Sequence, residues 1–140
     1  LKIRSQEVTS KVSAVSAIKE VREMMVQIQR SFTKKGNFVV EGRDIGTVVF
    51  PDAELKIFMT ASAEIRAKRR YKELLEKGDK IDYDDVLNNV KERDYLDSNR
   101  KDSPLVKAKD AIEIDNSNLS LKDQFNKILQ LVTMALEDAE

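Results

Sequence analysis

Arg43 and Asp44 stand side by side in the segment Glu41-Gly42-Arg43-Asp44-Ile45-Gly46-Thr47, with a glycine on either side. An arginine beside glycine at the end of a strand can fork two donors onto a phosphate, and glycine lets backbone approach a ligand. The same two side chains could equally neutralise each other in a surface turn. Arg93, Asp97 and Arg100 recur at i, i+4 and i+7, one face of a helix. Such a face could grip ribose hydroxyls and a phosphate together. By spacing alone, a solvated helix with ion pairs worth about a few tenths of a kcal/mol is the simpler reading. The run Arg66-Ala67-Lys68-Arg69-Arg70-Tyr71-Lys72 carries five cations in seven residues. It could neutralise a polyphosphate or touch nucleic acid. The commonest explanation of such a run is a solvated helix face, and Glu64, Glu73 and Glu76 dilute it. Ser13 and Arg22 carry no chemistry by themselves.

Composition narrows these options. The sequence has 140 residues, no Cys, no His and no Trp. Thiol and histidine catalysis are excluded, as are the common zinc sites, and no metal-ligating residues are predicted. The four glycines, Gly36, Gly42, Gly46 and Gly78, do not form G-x-x-x-x-G-K-S/T, so no phosphate-binding loop is present. Lys+Arg and Asp+Glu are both 25, and zero net charge argues against a nucleic-acid binder. No apolar run approaches the ~20 residues of a membrane span, and the absence of cysteine is compatible with the cytoplasm.

These side chains must be positioned by the elements around them. Val12, Val15, Ile18, Val21, Met25, Ile28 and Phe32 recur at helical spacing, predicting one long helix over 12–34, stopped by Lys34-Lys35-Gly36. Phe38-Val39-Val40 reads as a short buried strand, Val48-Val49-Phe50 as a brief apolar piece, and Leu55 to Met59 as a clear strand. Ser62 caps a helix that stops at Gly78. A further helix runs from about Tyr83 to Arg100, Ala111 to Asp115 is a third strand, and Ser120 with Asp123 opens a last helix over 120–138. The order α, β, β, α, α, β, α predicts an α/β fold with a partial parallel sheet flanked by helices. A first helix with no strand before it predicts that an N-terminal portion precedes Leu1.

Taken in order, these segments resemble the later two-thirds of the bacterial cytidylate kinase family. Ile3-Arg4-Ser5-Gln6-Glu7-Val8 is similar to the family's I-R-x-x-E-V, and the likeness continues through Val21-Arg22-Glu23, EGRDIGTVVFPDAELKIFMTAS, RAKRRYKEL, KERDYLDSNR, Ser103-Pro104-Leu105 and DAIEIDNSNLS. The resemblance implies a P-loop fold of the nucleoside-monophosphate-kinase type. It implies transfer of the γ-phosphate of ATP, with Mg²⁺, to CMP or dCMP, in a monomeric cytoplasmic protein of pyrimidine metabolism. Ser13, Arg22 and Asp44 would meet the cytosine, Arg93 and Asp97 the ribose, and Arg43 and Arg100 the CMP phosphate. Arg66, Arg69 and Arg70 would face ATP, with Arg69 counted beside Arg43 and Arg100 as catalytic, and a lid would span about 71–95. The family opens with a Gly-rich phosphate loop that this sequence lacks. The alternative expectation is therefore a non-catalytic CMP-binding module derived from a kinase.

Overall fold

The apolar spacing over 12–34 builds two helices where the sequence predicts one. In the computed structural model α1 covers Gln6–Ser16 and α2 covers Lys19–Phe32. Ile18 between them is extended, with φ −75° and ψ 118°. Val15 and Ser16 are weak helix formers, so the interruption costs little, and it frees backbone carbonyls at the end of α1. Arg22 Nη1 donates to one of them, Ser16, at 3.0 Å. The structure describes residues 6–16, 18–33 and 36–138, without the side chains of residues 6, 7, 9, 10 and 13. The Ile3-Arg4-Ser5 match, the Ser13 side chain and the Lys34-Lys35 helix stop lie outside the described residues.

Phe38-Val39-Val40 is not a buried strand. Val39 is 98% exposed, and Val39 and Val40 face β1 (Ile57–Thr60) across a cleft of about 880 Å³. A strand needs a neighbour about 4.8 Å away to satisfy its N–H and C=O groups, and none lies there among the described residues. Val48 and Val49 close a five-residue π-helical turn, Ile45–Val49, with Val49 buried. The sheet pairs β1 in parallel with β2 (Ile112–Asp115), in the register Ile57 to Ile112 and Thr60 to Asp115. Ile114 of β2, opposite Met59, is fully buried.

Between the strands run α3 (Ala63–Glu76) and α4 (Tyr83–Asn99). Ser62 caps α3 by accepting from Ile65 N–H. The helix ends where Gly78, at φ +85°, allows Asp79 N–H to reach Leu74 O and Gly78 N–H to reach Leu75 O. That left-handed residue is the reason for glycine there. The two helices pack through Ala67 and Val86, both buried, and an edge-to-face Tyr71–Tyr83 contact at 5.8 Å. Helix α5 (Leu121–Glu137) starts at Ser120, which accepts from Asp123 N–H.

The exposed area is 11198 Å², against about 7,400 Å² for a compact 16 kDa monomer. Apolar stripes contribute to it: α2 and α5 bury no side chain completely, and Phe32, Phe125 and Leu121 are exposed. Periodicity identified these stripes, but among the described residues little packs on them.

Candidate functional site

Asp97 is the centre of the site. It lies on the inner face of α4 and is buried. Its Oδ2 accepts from Arg43 Nε at 2.7 Å, and Arg93 and Arg100 each approach it to 3.9 Å. The i, i+4, i+7 side chains meet at Asp97 through these ion pairs, and Arg43 joins them from 54 positions away. Immediately beyond α4 the chain turns back: Leu105 N–H donates to the Asp97 carbonyl at 2.7 Å. Ser103 adopts φ +52°, and its carbonyl accepts from Arg100 Nε.

Asp44, also buried, takes the neighbouring place. Its carboxylate pairs with Arg22 from α2, so the Arg43-Asp44 step is not a self-neutralising turn. Each residue finds its partner on a different helix. A Cβ at Gly42 would meet Ile45 Cγ1 at 2.8 Å, so any larger residue there would push the Ile45 side chain aside. At Gly46 the nearest neighbour would be Lys56 Cδ at 3.4 Å, an ordinary contact.

Arg100 joins the two pairs. Burial pushes its guanidinium below the ordinary arginine value, and the Arg22 and Arg43 cations push the same way against Asp44 and Asp97. Around the two aspartates stand four guanidinium groups, leaving two positive charges in excess. Two buried donors have no hydrogen-bond partner among the described residues: Arg22 Nε and Arg100 Nη2. Unsatisfied buried N–H groups are costly and uncommon. Here they point to an anionic, acceptor-rich ligand. Asp44 and Arg22 close the polar end of a mainly apolar cleft between α1 and α2, lined by Val12, Val15 and Met25. Arg43 lines the separate cleft at the end of β1, near Thr60 and Ala61.

The basic run on α3 is arranged differently. Arg66 is bidentate to Asp94, at 2.8 and 2.5 Å, and its Nε donates to the Ala61 carbonyl at 2.9 Å. Asp94 raises the Arg66 value and Arg66 holds the Asp94 carboxyl below its ordinary range. Asp94, three residues before Asp97 on the same helix face, had no role in the sequence reading. Arg69 donates twice to Asn116, at 3.0 and 2.7 Å, and Arg70 pairs with Glu73. The structure does not bring Arg69 or Arg70 to the Asp44–Asp97 cluster. Arg30 stands in none of the motifs above. It lies two turns beyond Arg22 on α2 and bonds the π-helical turn that follows Asp44. The Arg22–Arg30 spacing was the available signal. Among the described residues no three acidic, His or Cys side chains gather to hold a metal, and no helix is long and apolar enough to cross a membrane.

A small parallel sheet flanked by helices, with arginines converging on two buried aspartates, defines an α/β protein with an arginine-rich cluster beyond the loop that follows Gly42. The sequence model of the cytidylate kinase family matches residues 1–134. The chain belongs to that family. A cytidylate kinase of Flavobacterium johnsoniae is 58% identical over 130 residues, which are 93% of this chain and 56% of that protein. One of Fusobacterium nucleatum is 54% identical over 127 residues, 91% of this chain and 58% of its own length. One of Clostridium botulinum is 53% identical over 130 residues, 93% of this chain and 60% of its own. The chain therefore spans a little over half the length of the curated relatives it matches.

Proposed function

We propose that this segment supplies the acceptor half of a phosphoryl-transfer site, holding CMP or dCMP while ATP donates its γ-phosphate. The observation that carries the reading is the pair of unpartnered buried donors, Arg22 Nε and Arg100 Nη2, inside a cluster with two excess positive charges. A phosphate monoester carries close to two negative charges above its second pKa of about 6, which matches the excess charge; Arg100 Nη2 would serve the phosphate and Arg22 Nε the base. The cytosine would enter the cleft between α1 and α2. Asp44 would accept from its exocyclic amine and Arg22 would donate to its ring acceptors. A uracil, with a carbonyl in place of that amine, would face the Asp44 carboxylate without a proton to give. Arg93 and Asp97 would hold the ribose.

Arg43 and Arg100 would then fix the phosphate at the step between the two clefts. Their positive charge reduces the repulsion between its nucleophilic oxygen and the incoming γ-phosphate. The oxygen forms the new P–O bond as the bond to the ADP leaving group breaks. Arg66, Arg69 and Arg70 face the donor side in this reading, just before a lid of about 71–95 that takes in the end of α3 and most of α4 and whose closure excludes water. All three are held by protein partners here, so contact with ATP requires exchanging those partners. ATP chemistry in this family implies Mg²⁺, and among the described residues no acidic side chains gather in a way that fits a cation site.

Calorimetry of the 140-residue chain with CMP, cytidine and UMP tests the reading. CMP is expected to bind more tightly than cytidine, through the phosphate, and more tightly than UMP, through Asp44. Equal affinity for CMP and cytidine refutes the phosphate site.

A further inference from the structure

Asp44 is presented by an uncommon piece of backbone. It caps the N-terminal end of the π-helical turn Ile45–Val49. The N–H groups of Val48 and Val49 both donate to the Asp44 carbonyl, at 2.9 and 3.2 Å, and Phe50 N–H donates to Ile45 O at 2.7 Å. Such turns are rare and concentrate at functional sites. The far end of this one is gripped by Arg30. Its Nη2 donates to Val48 O and its Nε to Val49 O, each at 2.7 Å. A planar cation forked onto two terminal carbonyls suits both their geometry and the negative end of the turn's dipole.

The near end is held by the same helix. Arg22 pairs with the Asp44 carboxylate and anchors itself on Ser16 O. Eight residues of α2 separate Arg22 from Arg30, about 12 Å along the axis. Helix α2 therefore clamps the turn at both ends, fixing the Asp44 backbone through Arg30 and its carboxylate through Arg22. We infer that Arg30 is a positioning residue for base selection, setting where the Asp44 carboxylate stands without itself touching the substrate. The inference rests on the reading that Asp44 meets the base.

The test is steady-state phosphorylation of CMP and of UMP by a chain of full family length carrying this segment. Arg30→Met, Arg30→Lys and Asp44→Ala are compared with the parent, and each variant's melting temperature is recorded. A lysine keeps the charge but not the planar fork, so it carries the test if the methionine variant fails to fold. A displacement of about 1 Å can cost on the order of 100-fold. With Arg22 still in place, both Arg30 variants should lower the CMP-to-UMP ratio of kcat/KM by about tenfold, mainly through KM for CMP. Asp44→Ala should lower it at least as much. If Asp44→Ala abolishes the preference while the Arg30 variants keep the parent ratio, the role of Arg30 is overturned and the base reading stands. The same holds if the Arg30 variants slow both nucleotides alike with the ratio intact, as a purely structural residue would. If Asp44→Ala keeps the parent ratio, the base reading itself fails, and the inference with it.

Discussion

Replacing Arg100 by methionine should separate function from stability, because binding weakens while stability hardly changes. The side chain is 18% exposed and its Nη2 is buried without a partner. Leaving such a donor unsatisfied costs about 1–3 kcal/mol. Against that, the substitution removes one hydrogen bond to the Ser103 carbonyl, worth about 1 kcal/mol net. It also removes an ion pair to Asp97 at 3.9 Å, worth at most about 1 kcal/mol at that separation. Methionine fills much of the same volume and adapts to irregular space. The stability change should therefore lie within about 1 kcal/mol of zero, or a shift of only a few degrees in Tm for a chain of this size. Binding of CMP should weaken by the loss of charge-assisted bonds to the phosphate, about 2 kcal/mol or roughly 30-fold. Cytidine, which has no phosphate, should bind the variant as it binds the parent. Differential scanning fluorimetry and calorimetry read both quantities on the same samples. A variant that melts more than about 10 °C lower while keeping its CMP affinity would make Arg100 a structural residue and refute the argument from unsatisfied donors.

Three other outcomes follow from the same geometry. Asp44→Asn should destabilise the chain by about 3 kcal/mol, because the buried Arg22 cation loses its counter-charge and keeps only neutral acceptors; chemical denaturation measures this, and an unchanged midpoint refutes the buried pair. The Arg66–Asp94 pair has a depressed carboxyl value, so its contribution is fully present above the unfolded carboxylate range and is lost as pH falls through the folded value. The Tm difference between the parent and Asp94→Asn should be constant from about pH 8 to 5 and close below about pH 4; with both side chains about a third exposed, it should stay under about 1 kcal/mol. Finally, the uncovered stripes on α2 and α5 should make the 140-residue chain bind the dye ANS at neutral pH, and no fluorescence gain would mean that those faces are covered in solution.

Local signals were legible wherever the cause lies within a few residues. Ser62, Ser120 and Gly78 act on backbone groups three or four positions away, so their roles follow from residue type and spacing. The Arg93-Asp97-Arg100 face is likewise a property of one helix. The break at Ile18 was not legible, because the apolar period runs through it without interruption. It shows only in where the Ser16 carbonyl finds Arg22. Phe38-Val39-Val40 has the composition of a strand, but a strand exists only with a neighbour to bond, and composition carries no information about neighbours.

By itself the sequence determined β1, β2 and the later helices α3 to α5, the candidate arginines and aspartates, and the family they resemble. Only the tertiary structure decided how those charges are shared. It separated Arg43 from Asp44 and gave each a partner on another helix. It held Arg66 on Asp94 and left Arg22 Nε and Arg100 Nη2 without partners. It also brought in Arg30, which no motif marked. The physical reason is that periodicity and capping act over three or four residues, whereas an ion pair such as Arg43–Asp97 spans 54 and forms only after the elements carrying it have packed.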